Sequence, residues 1–257
     1  MSRVSARPSE SFVINHRAKN STAVAVERLH LSGKKPVVRG LENLLALEQP
    51  AILALTHRRM TEPLKDMAFF HRELHTNHPD LPANREVYSA TMDAMWRWRW
   101  LYLGRLIERY GAFPVDRKGG LTSIKELLGH GAHILTQKEA HLMIYPEGRV
   151  GKNDTVKAKV GTAQVALATG APILPIGQWL HERGTQKSVV IHPPIHTETN
   201  PELLLQPDQD LNDFLRRTAR AGRLLTEQIE AELQTSLDEA RTMAHGDILP
   251  ENSSIVA

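Results

Sequence analysis

The chain contains no cysteine. Disulfides, thiolate metal sites and a cysteine nucleophile are thereby excluded, and the composition suits a reducing compartment. It also lacks any apolar run of about 18 residues, the length that a membrane-crossing helix requires. The opening stretch MSRVSARPSESFVINHRAKN carries basic residues with no apolar segment behind them, so a secretory signal is not expected. Charge of one sign is scarce: 32 Lys and Arg against 29 Asp and Glu leave a formal net charge of +3. That excess is compatible with anionic substrates or an anionic lipid surface, and it is too small to argue for nucleic acid. The expected location is cytoplasmic, with any membrane contact peripheral and on the cytoplasmic face.

What is present is ordinary for a globular protein. The 257 residues are 41% hydrophobic and 24% charged, enough for a sizeable core in one large domain. Residues 1–20 read as a loose arm, 21–243 as a single domain and 244–257 as a frayed tail. Short strands are expected at 36–39, 51–55, 86–89, 112–115, 141–145, 173–177 and 188–192. The run Ala51 to Leu55 (AILAL) has no polar position, as in a strand covered on both faces. Helices are expected at 41–47, from Thr61-Glu62-Pro63 to about His75, at 93–110, at 161–169, and at 121–138 with an interruption near Gly129 and Gly131. Leu211, Phe214, Leu215, Leu225, Ile229, Leu233 and Leu237 recur at helical spacing and predict one long helix over about 209–243. Strands alternating with helices imply an α/β fold, a mixed, largely parallel central sheet flanked by helices.

In such sheets, ligands gather where strands run out into loops. Three expected strands end in chemically capable residues: Thr56-His57, Val115-Asp116-Arg117 and Tyr145-Pro146-Glu147-Gly148-Arg149. Glu62, five residues after His57, is placed to fix the tautomer of the imidazole and leave its other nitrogen as a general base. Arg117 suits bidentate phosphate binding. Gly148 lets backbone approach a ligand closely, and Lys159 precedes a helix start, where anions are favoured. Each feature taken singly has an ordinary structural reading: a loop cap, a surface ion pair, a turn. No histidine pair has a convincing metal spacing. Trp96, Trp98 and Trp100, interleaved with Arg97 and Arg99, suit core packing and a membrane interface about equally.

The order of these features is more specific than any one of them. His-x4-Glu (57–62) is followed by Gly-Ala-Phe-Pro-Val-Asp-Arg (111–117), Tyr-Pro-Glu-Gly-Arg (145–149), Lys-x-Gly (159–161) and Ala-Pro-Ile-Leu-Pro (171–175). This series resembles the four ordered motifs of the 1-acylglycerol-3-phosphate and glycerol-3-phosphate acyltransferase family, and Val38 to Leu44 resembles its lead-in. The resemblance covers roughly 36–195. It implies a glycerol-3-phosphate acyltransferase-like fold and a phospholipid-forming acyl transfer. The donor would be acyl-CoA or acyl carrier protein, a co-substrate rather than a cofactor, and the acceptor a hydroxyl of a lysophospholipid or glycerol phosphate. It implies His57 as base, Glu62 as its partner where the family has aspartate, and Arg117, Glu147, Gly148, Arg149 and Lys159 on the substrate side. Pro172 and Pro175 match a structural or acyl-binding motif. Thr56 stands where the family has asparagine, and Arg149 follows Gly148 without the usual small hydroxyl residue between them. No metal and no covalent enzyme intermediate are expected. The competing readings are a lysolipid or thioester hydrolase or transacylase using the same dyad, and an inactive lipid-binding homologue; nucleic acid is not an expected partner.

Overall fold

The computed structural model describes residues 36–58, 62–78, 86–92, 111–115, 120–151, 155–180, 186–197, 204–205 and 209–246. The expected N-terminal arm, the 93–110 helix with its three tryptophans, Arg117, and the tail beyond 246 lie outside them. Seven strands form one sheet: β1 (Val37–Arg39), β2 (Ile52–Leu55), β3 (Val87–Met92), β4 (Ala112–Val115), β5 (His141–Ile144), β6 (Ile173–Leu180) and β7 (Lys187–Ile191). Their order is β1-β7-β6-β2-β5-β3-β4. Strands β2 to β6 run in one direction. Strand β7 pairs antiparallel with β6, and β1 follows β7. The sheet is therefore mixed and largely parallel, as the alternating pattern requires.

Both faces are covered. On one side, α1 (Leu41–Leu45) and α2 (Glu62–His71) bury Leu41, Leu44, Met67, Phe69 and Phe70 against Leu53, Leu55, Met143 and Ile176. On the other, α3 (Leu121–Ala132), α4 (Gly161–Thr169), α5 (Leu211–Arg217) and α6 (Ala219–His245) pack on Ile52, Ala54, Leu142 and Ile144. Strand β2 lies between these layers, and all four of its residues are buried, which accounts for its unbroken apolar run.

Three departures from the sequence-based expectation have physical causes. The helix expected to break at Gly129 and Gly131 runs through both to Ala132 and widens into a π-helical stretch at His133–Gln137. Gly131 serves a close approach instead: a Cβ there would stand 2.8 Å from Val165 Cγ1 and 3.1 Å from Leu142 Cδ2. The single C-terminal helix expected at 209–243 is two helices, α5 and α6, meeting at Thr218, and α6 extends to His245 into the expected tail. At that junction the buried Thr218 hydroxyl lies 2.8 Å from the Phe214 carbonyl and 2.7 Å from Gln164 Oε1, which fixes the corner against α4. Strands β3 and β6 each run three residues further than expected, and β6 does so by pairing with β7 along Ile176–Leu180.

Helix α6 lies over β6 at very short range. An added Cβ on Gly177 would stand 2.1 Å from the Ser236 carbonyl carbon, so backbone meets backbone there. Leu225, Ile229, Leu233 and Leu237 continue the same buried stripe.

Candidate active site

Because β2 and β5 are parallel neighbours, their carboxyl ends open side by side, and the chain places Thr56-His57 after one and Tyr145-Pro146-Glu147 after the other. The Thr56 N–H donates to the Ile176 carbonyl at 3.1 Å, and its hydroxyl accepts the Gln178 N–H at 2.9 Å. These bonds extend the β2–β6 register by one residue and deliver His57 from a rigid strand end. Both main-chain groups of His57 are paired with the β5 loop. Its N–H donates to Glu147 Oε2 at 2.9 Å, and its carbonyl accepts from the Gly151 N–H at 2.6 Å.

His57 is 5% exposed, and its Nδ1 lies 3.3 Å from Glu62 Oε2. A carboxylate offers only acceptors, so the proton between them resides on Nδ1 and the lone pair is left on Nε2. The same Glu62 oxygen accepts the Arg58 N–H at 2.5 Å, which ties Arg58 to the start of α2. His141, at the opposite end of β5, has the reverse assignment. Its Nδ1 accepts the Ala51 N–H at 3.0 Å, which makes it a structural tie between strands.

The segment after β5 is a tight turn. The Gly148 N–H donates to the Tyr145 carbonyl at 2.9 Å, with Pro146 at the second position and Gly148 at the fourth, as such turns favour. Gly148 has φ +63°, and the Lys159 side chain lies across it, with Nζ 3.0 Å from where a Cβ would be. The turn sends Glu147 inward. Burial raises its carboxyl above the ordinary range, against the opposing pull of the His57 N–H and the Arg58 guanidinium. Arg58 Nη1 stands 3.8 Å from Glu147 Oε1 and packs on Gly151, where even a Cβ would clash at 2.1 Å. Among the expected substrate-side residues, Glu147 is thus buried against the His57 backbone, while Arg149 and Lys159 are exposed at the rim. Arg117 lies outside the described residues; β4, the strand that precedes it in sequence, is three strands from β2.

Sequence reasoning gave no role to three neighbours: Arg58, Gly151 and, beneath the imidazole, Tyr145, which it named only as part of the Tyr-Pro-Glu-Gly-Arg motif. The Tyr145 ring centroid is 4.5 Å from that of His57 at an interplanar angle of 35°. Its hydroxyl donates to Asp66 Oδ2 at 2.6 Å. Asp66 lies one helical turn after Glu62, and that i, i+4 spacing was the available signal.

The sequence profile of the Acyltransferase family matches residues 35–179, more than half of the chain. The chain belongs to the acyltransferase family. Its reaction class is acyl transfer, which requires an acyl donor and an acceptor. No curated protein sequence matches it. Among solved structures it is similar to the 1-acyl-sn-glycerophosphate (LPA) acyltransferase PlsC from Thermotoga maritima, at 14% identity over 86% of each chain and a TM-score of 0.46. Among the described residues, no helix of this acyltransferase is long and apolar enough to cross a membrane.

Proposed function

We propose that this acyltransferase moves a fatty acyl group from a thioester, carried by CoA or acyl carrier protein, to a hydroxyl of a lysophospholipid or glycerol phosphate. The observation that carries the reading is the buried His57–Glu62 pair, 3.3 Å apart at the carboxyl edge of the sheet, in a chain of this family. His57 Nε2 takes the proton of the acceptor hydroxyl as its oxygen attacks the thioester carbonyl. The tetrahedral intermediate collapses with cleavage of the C–S bond, and the imidazolium returns the proton to the departing thiolate. Ester and free thiol are the products, and the balance calls for neither a metal nor a redox carrier. Glu62 holds the tautomer and stabilises the imidazolium. Arg117 is assigned to the acceptor's phosphate, and Gly148, Arg149 and Lys159 are likewise assigned to substrate binding. Glu147 contributes by holding the loop that frames the acceptor. An amphiphilic acceptor brings the protein to a membrane surface on the cytoplasmic side.

The test is acyl transfer by purified protein with oleoyl-CoA, or acyl carrier protein loaded with the same chain, and a panel of acceptors. The panel holds lysophosphatidic acid, glycerol 3-phosphate and neutral lysolipids, each run beside His57→Ala. Transfer to a phosphate-bearing acceptor that disappears with His57→Ala is the expected result. Transfer confined to phosphate-free acceptors would remove the role of Arg117. Release of free fatty acid with no acylated acceptor would make the protein a hydrolase.

A further inference from the structure

Under the dyad lies a polar cluster that the reaction above does not use. Asp66 is 3% exposed and receives three donors, two from the strands β6 and β7 and one from the residue that follows β5. The Tyr145 hydroxyl after β5 donates at 2.6 Å and Gln178 Nε2 on β6 at 3.0 Å, both to Oδ2, while Lys187 Nζ on β7 donates to Oδ1. A buried carboxylate needs such partners to remain in the interior. Their arrangement does more than satisfy it. Asp66 is carried by α2, so three bonds to the sheet fix the position of that helix one turn beyond Glu62. One of the three donors is Tyr145, whose ring is the surface on which the His57 imidazole rests. Asp66 therefore sets both halves of the dyad, the carboxylate through the helix and the imidazole through the tyrosine. Burial and the neighbouring Asp66 hold the Tyr145 hydroxyl protonated far beyond its usual range, so it serves as a permanent donor.

We infer that Tyr145 and Asp66 are positioning residues for His57, acting through the Tyr145 hydroxyl bond that seats the imidazole against Glu62. The inference rests on His57 being the base. A hydrogen bond of this kind acts on geometry at the reacting centre, where a shift of about 1 Å is worth up to about 100-fold in rate. Its loss therefore lowers kcat and leaves substrate affinity in place.

The experiment is a double-mutant cycle of Tyr145→Phe and Asp66→Asn on the full chain. It is read as kcat and KM for donor and acceptor across pH, well below each variant's unfolding temperature. Tyr145→Phe keeps the ring and loses only the hydroxyl. We expect kcat of Tyr145→Phe to fall about tenfold with both KM values within about twofold. The kcat of Asp66→Asn should fall further, because it also disturbs the bonds from Gln178 and Lys187 that hold α2. In the double variant the combined loss should be smaller than the product of the two single losses, because both changes break the Tyr145–Asp66 bond. A pH–rate profile whose acidic limb moves in Tyr145→Phe supports the same conclusion, since a merely structural bond leaves that limb in place. Tyr145→Leu, which removes the ring, should lose more than Tyr145→Phe. Wild-type kcat and an unmoved pH profile in Tyr145→Phe and Tyr145→Leu, beside an inactive His57→Ala, would overturn the positioning role alone. Full activity in His57→Ala would overturn the base assignment, and this inference with it.

Discussion

Glu62→Gln separates the charge of the dyad carboxylate from its shape. One oxygen, Oε2, serves both the His57 ring at 3.3 Å and the Arg58 N–H at 2.5 Å. A glutamine with its amide oxygen in that place keeps both hydrogen bonds and loses only the negative charge. Unit charges 3.3 Å apart in an effective dielectric near 20 attract by about 5 kcal/mol, an upper figure because both charges are delocalised. The lower figure is the difference between a charge-assisted and a neutral hydrogen bond, about 1.4 kcal/mol or tenfold. Between these limits we expect kcat to fall about 100- to 1,000-fold, since each 1.36 kcal/mol of lost transition-state stabilisation is tenfold in rate. KM should change little, because the charge matters most when the imidazolium forms. Release of CoA thiol can be followed with a thiol reagent without background, since the protein has no cysteine of its own. Thermal unfolding of the variant guards against a folding defect. A Glu62→Gln enzyme within about twofold of wild type, beside an inactive His57→Ala, would refute the electrostatic role of Glu62.

Other perturbations have expected outcomes of the same kind. Glu62→Asp, which restores the residue of the resembled motif, withdraws the carboxylate by roughly 1.5 Å from a fixed helix start, so kcat should fall rather than rise; an increase in the thiol-release assay would contradict this. Gly177→Ala forces α6 away from β6, an overpacking cost of at least about 3 kcal/mol that should lower the unfolding temperature by about 6–12 °C in calorimetry. The Glu147 carboxyl is raised in the fold, so the unfolded chain gives up this proton first, and stability is lost as pH rises from 4.5 through the folded value. Glu147→Gln should remove that slope from denaturant unfolding curves taken across pH. His130 is lowered by burial and by His133, so stability is lost as pH falls below 6.5, and His130→Phe, which keeps the ring against Phe113, should flatten that dependence.

The layer order and most strands were legible because both rest on strong local patterns. AILAL reads as a doubly covered strand, and the polar residues at strand ends point to the carboxyl edge. The corner at Thr218 was not legible, because a tertiary contact, the Thr218 hydroxyl against Gln164 on α4, fixes it. Gly131 reads as a break in sequence and is a close approach in the fold, and Thr218 sits in an apolar stripe whose spacing carries straight across it. The site divides along the same line. His57 and Glu62 are close in sequence and were found by spacing. Asp66 and Tyr145 are 79 positions apart and meet only because β5 inserts beside β2.

The two departures from the resembled first motif, Thr56 and Glu62, sit on either side of His57 and act on different parts of it. The hydroxyl oxygen of Thr56 accepts the Gln178 N–H, so the residue before His57 is fixed to β6. The extra methylene of Glu62 lets a carboxylate at the start of α2 reach both the ring and the Arg58 N–H from a helix whose own position is held at Asp66. The imidazole is thus held from three sides: by its backbone bonds to Glu147 and Gly151, by the Tyr145 ring beneath it, and by Glu62 at its Nδ1. A glutamate with more rotatable bonds than aspartate loses more side-chain entropy on being held in one place. The second hydrogen bond to Arg58 and the three-point anchorage of α2 offset that loss, so the substitution keeps a carboxylate within reach of His57 Nδ1.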